Sequence, residues 1–134
     1  ARATQHLEQV TTLDQNDFDA VWQLVRTHER SGNYSEAFAS IKRAANIRPF
    51  HPGLYTKMGL FALEIDELEE SELAFLTALS ISGRGPDVMA NQLGLARVYY
   101  RSGDTAGTRK ALEAAESAAP GSSDIKAVRE EFKR

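Results

Sequence analysis

The side chains best equipped for chemistry are scattered along this chain. His6, His28 and His51 stand far apart, and only His28-Glu29 opens a known pattern, the helix motif in which two histidines hold zinc. That motif needs its second histidine one helical turn on, where Gly32 stands, so the site fails. Glu64, Asp66, Glu67, Glu69, Glu70 and Glu72 form the densest acidic run. A calcium loop would alternate oxygen ligands around a glycine turn. Here Leu63, Ile65, Leu68 and Leu73 interrupt the acids at helical spacing, which describes a solvated turn and an outer helix face. Gly83-Arg84-Gly85-Pro86 lacks the lysine and hydroxyl residue of a phosphate-binding loop. Asn33-Tyr34-Ser35 fits the acceptor pattern for N-glycosylation but falls in a tight turn. With no cysteine in the chain, thiolate metal sites, disulfides and cysteine nucleophiles are excluded. The segment therefore reads as non-catalytic, with no metal and no cofactor.

Composition narrows the partners. The 16 Lys+Arg against 19 Asp+Glu give a net charge of −3, which offers no drive to wrap nucleic acid. No stretch approaches the roughly 20 apolar residues that span a bilayer, so membrane insertion is not expected. The reading is a soluble segment, cytoplasmic or periplasmic. At 42% hydrophobic residues with 4 prolines and 9 glycines, the chain should fold, and mostly as helix.

The elements that position these residues repeat. Val21, Leu24 and Val25 lead through the turn Ser31-Gly32-Asn33 to Ala37, Ile41 and Ala44, and the run breaks at Pro49. The same kinds of residue return 34 positions later as Tyr55, Met58 and Gly59, a turn at Asp66, then Ser71, Phe75 and Ala78. A third pass arrives three residues late: Leu95, Ala96 and Tyr99, the turn Ser102-Gly103-Asp104, then Leu112, Ala115 and Pro120. The delay is assigned to the loop-forming stretch Ser82 to Pro86. Apolar residues three and four apart predict helices, and the short polar turns fold each pair back antiparallel. Small residues recur where two such helices cross, with Gly94 and Ala96 both candidates for that position in the third unit.

In these spacings and turns, and in the closing Pro49 and Pro120, residues Phe18 to Pro120 resemble the tetratricopeptide repeat. Ser71 and Thr108 depart from it by replacing alanine, Gly83 by replacing the terminal proline, and His28 by replacing an aromatic. The resemblance implies an all-α, right-handed superhelical solenoid of antiparallel helix pairs, with units at 17–50, 51–85 and 86–120. Ala3, Leu7 and Val10 fall one period before Ala37, Ile41 and Ala44, so residues 1–16 are expected to be the second helix of an earlier unit. With Ala1 in place of methionine, this suggests a piece of a longer chain. Residues 121–134 carry Ile125, Val128 and Phe132 on one side of an amphipathic helix, expected to cap the last apolar face.

In tetratricopeptide proteins the first helix of each unit lines a concave groove. Carrying the groove positions over selects Trp22, Arg26, Glu29 and Arg30, then Thr56, Lys57, Leu60 and Leu63, then Leu93, Arg97, Tyr100 and Arg101. Five cations among apolar groups suit a protein or peptide partner that is acidic and partly apolar. The alternative for these arginines is pairing with Glu29 and Glu64. The family's clamp for chaperone C-termini needs Lys and Asn where Trp22, Arg26, Lys57, Ala90 and Gly94 stand, so that subtype is disfavoured. The expected function is a protein-interaction module that docks a peptide or helix and helps assemble a complex. Its alternative is a structural spacer or self-association scaffold within a larger, enzymatic or non-enzymatic, protein.

Overall fold

The structure is a computed structural model that describes residues 17–134; the half-repeat helix expected over 1–16, with His6, lies outside the described residues. Its helices are α1 (Phe18–Arg30), α2 (Tyr34–Ile47), α3 (Leu54–Glu64), α4 (Leu68–Ile81), α5 (Gly85–Ser102), α6 (Thr105–Ala118) and α7 (Ser123–Phe132). Consecutive helices pack on one another, giving three antiparallel hairpins and a final helix laid against α5 and α6. The chain is an all-α, right-handed superhelical solenoid of antiparallel helix pairs.

The hairpins share one turn chemistry. Gly32 at φ 75°, Asp66 at φ 62° and Gly103 at φ 81° each place one left-handed residue after the first helix. The next amide then reaches back to an orphan carbonyl: Asn33 to His28 at 2.9 Å, Glu67 to Ala62 at 2.8 Å, Asp104 to Tyr99 at 2.9 Å. This repeated closure satisfies the helix ends and fixes the antiparallel return. Asp17, Asp104 and Ser122 supply side-chain caps at the starts of α1, α6 and α7.

The three added residues of the third unit do not widen the loop: α5 runs for 18 residues against 11 in α3, because its start takes up both the insertion and part of the linker, which shrinks from residues 48–53 before α3 to residues 82–84 before α5. Gly85 and Pro86 begin the helix, contrary to their reading as loop. Proline is suited there because its missing N–H would have no partner in a first turn anyway. The Ser82 hydroxyl donates to Asp87 Oδ2 at 2.6 Å, tying the loop to the helix.

Two apolar clusters fill the interior. One joins α1, α2 and most of α3; the other joins Leu63 at the end of α3 with α4 to α7. Phe75, fully buried, sits between Gly59 and Gly94, where a Cβ on either glycine would come within 3.0 Å of its ring. Gly94 and Ala96 thus both serve as small positions: Gly94 admits the ring of the preceding hairpin, and Ala96 is buried within its own. The departures from the repeat pattern are accommodated. Buried Ser71 donates to the Gly59 carbonyl at 2.7 Å and Thr108 to the Asp104 carbonyl at 2.8 Å, so neither hydroxyl lacks a partner. His28 is buried, 3% exposed, on the core side of α1.

Candidate interaction groove

The first helices α1, α3 and α5 carry the residues selected for the inner wall. On α1, Trp22 stacks on Phe18 with ring centroids 5.5 Å apart and meets the His51 ring edge-on at 4.8 Å, so it is half-buried and held in place. One and two turns on, Arg26 and Arg30 are exposed. Between α1 and α3, Lys57 Nζ lies 2.7 Å from Glu29 Oε1. Trp22, Arg26, Glu29, Arg30 and Lys57 together line a cleft of about 400 Å³. Leu60, 40% exposed, extends the same helix face of α3 towards the C-terminal end.

The α5 end is arranged differently. Leu93 is 5% exposed and belongs to the core, so it lines nothing open. Arg97 Nε donates to Glu131 Oε2 of α7 at 3.0 Å. Tyr100 stacks on Phe132, centroids 4.2 Å apart, and its hydroxyl donates to the Phe132 carbonyl at 2.9 Å. Arg101 Nη1 donates to the Leu63 carbonyl at 2.6 Å, sharing that acceptor with the Asp66 amide, which reaches it at 3.2 Å at the end of α3. Three of the five selected cations therefore have partners within the chain. Arg26 and Arg30 make no hydrogen bond or ion pair among the described residues, which leaves the net positive charge in the α1 half.

The chain is similar in structure to MamA. A crystal structure of MamA superposes with a TM-score of 0.79 over 97% of this chain and 80% of that one, at 20% identity. At that identity the likeness concerns the fold, and with the helix pairs it fits a tetratricopeptide-like architecture. No family model and no curated protein sequence matches the chain.

Several features of the wall come from partners that the groove positions alone do not name. Buried Asn91 accepts from the Thr56 hydroxyl at 2.8 Å and donates to the Asp87 carbonyl at 2.9 Å, linking α3 to α5. Glu131 could have been found from the period itself, because it stands 34 residues after Arg97, one unit on. Tyr99 lies behind the wall. Burial, a hydrogen bond with Glu72, and the charges of Glu72 and Asp104 push its hydroxyl up to about 12. Among the described residues, no three histidine or carboxylate side chains lie together as a metal site would require, and no helix is long and apolar enough to cross a membrane.

Proposed function

We propose that the chain is a non-catalytic protein-interaction module whose α1–α3 cleft docks an acidic, partly apolar segment of a partner protein and so helps assemble a complex. The observation that carries this reading is the exposed pair Arg26 and Arg30 beside the fixed Trp22 ring. A guanidinium that pairs with no carboxylate among the described residues offers its planar fork to an incoming one, while the indole and Leu60 supply apolar contact. Affinity comes from the apolar contacts and register from the arginines. The α5 cations contribute less, because a ligand must first displace Glu131 or the Leu63 carbonyl.

The test is a titration of the capped peptide Asp-Glu-Leu-Glu-Asp-Leu, followed by Trp22 fluorescence and by calorimetry. The Arg26→Glu, Arg30→Glu double variant should bind at least about tenfold more weakly than the unaltered chain. Equal binding by both removes this cleft as the docking site. Leu73, 66% exposed, and Leu76, 46% exposed, on the outer helix α4 favour a second reading as a self-association scaffold. Light scattering across a concentration series checks it, since a monomer at every concentration is incompatible with that reading.

A further inference from the structure

The repeat lets each junction between hairpins be compared with its copies. At the first, Tyr34 and Phe38 of α2 pack with Ile41 against Phe61 of α3, the Tyr34 and Phe61 rings lying 6.1 Å apart. At the second, Leu68 takes the place of Tyr34 and Glu72 that of Phe38, and the junction is completed by Leu95, Val98 and the Tyr99 hydroxyl bonded to Glu72. At the third, 71 positions along from the first, Leu112 stands for Ile41 and Phe132 for Phe61, but Thr105 and Arg109 stand where Tyr34 and Phe38 were. Both replacements are exposed. A cavity of about 570 Å³ opens there, with Leu112, Phe132 and Tyr100 among its walls.

We propose that this cavity between α6 and α7 is a second docking site, which takes an aromatic side chain from an acidic segment of a partner. The first junction is the template for the occupant: Ile41 and Phe61, whose places Leu112 and Phe132 take here, pack there with two aromatic rings of the chain itself. Arg109 and Arg129 line the cavity with no ion pair among the described residues, and they favour a carboxylate beside the incoming ring. The opposing acids are Asp104 and Glu113. Asp104 Oδ1 is already engaged by the Gly107 amide at 2.8 Å, and Glu113 lies on the same α6 face as Arg109. An aromatic anchor seated in a preformed apolar recess, with charge at the rim, is the usual composition of a binding hot spot.

The experiment is carried out in the Arg26→Glu, Arg30→Glu background, which disables the α1–α3 cleft, so the two sites fail separately. Calorimetry with the capped peptide Glu-Asp-Tyr-Asp-Phe-Glu should detect binding there. Thr105→Tyr, which refills the cavity from within at an exposed helix start, should weaken it at least about tenfold, and Arg109→Glu should do the same. A peptide with both aromatic residues changed to alanine should not bind. Circular dichroism establishes that each variant is folded. No binding in this background, or binding indifferent to Thr105→Tyr, overturns the proposal; loss on Arg109→Glu alone also overturns it, since that is charge attraction without a seated ring.

Discussion

Glu131 meets Arg97 at 3.0 Å, across a separation of 34 residues that is one repeat length. The final helix thus places a carboxylate against a wall arginine, in the way the proposed ligand would do at Arg26 and Arg30 on α1, two units earlier. Because both side chains are partly solvated, the ion pair contributes little to stability, about 0–1 kcal/mol. Glu131→Gln should therefore leave the urea midpoint almost unchanged while strengthening binding of an acidic peptide a few-fold through the released Arg97. Chemical denaturation and calorimetry on the same variant check both halves.

Gly94 is predicted to tolerate no side chain. In an ordinary helix interior, glycine to alanine gains about 1 kcal/mol. At this position the new methyl group runs into the Phe75 ring, and overpacking of that kind costs about 1–3 kcal/mol. Gly94→Ala should be destabilised in thermal unfolding, and Phe75→Leu should partly restore the double variant relative to the sum of the two single changes.

Asp66 occupies the left-handed position that glycine holds in the other two hairpins. Asp66→Gly should stabilise the chain by about 0.5–1 kcal/mol, the relief of backbone strain exceeding the added freedom of the unfolded state. Gly103→Ala should lose about as much. Urea titrations of the two variants should move in opposite directions.

Tyr99 predicts a stability that falls at high pH. Its hydroxyl has a folded value of about 12 against 10.0 for the free group, so between these the folded state keeps a proton that the unfolded state gives up. Stability present below pH 10 is then lost as pH rises towards 12. Tyr99→Phe should flatten this decline, and ultraviolet absorbance should show one tyrosine ionising well after the others.

The period was legible because its punctuation is chemical. Gly32 and Gly103 sit where only a left-handed residue closes the hairpin, and Gly59, Ala37 and Ala96 sit where helices approach. The start of α5 was not legible, since Gly85-Pro86 has loop composition and becomes helical only because a first turn needs no N–H from proline. The earlier start does not itself bury Leu93; its side of α5 faces the core cluster, which position counting within one unit does not reveal.

The cations show the same boundary. Arg26, Arg30, Lys57, Arg97 and Arg101 could be placed on first helices from spacing, but their partners could not. Arg101 finds the Leu63 carbonyl 38 residues away, an acceptor carried by every residue and so invisible in side-chain identity. Lys57 and Glu29, 28 residues apart, fall outside the repeat length because they face each other diagonally between neighbouring helices.

The division of the interior into two clusters that meet along α3 has a mechanical side. A rod held together only by neighbours can come apart at its weakest joint while each piece keeps its shape. Amide exchange should then report two protection levels, with the step falling within α3, and a pulling force should find a stop halfway before the second half yields.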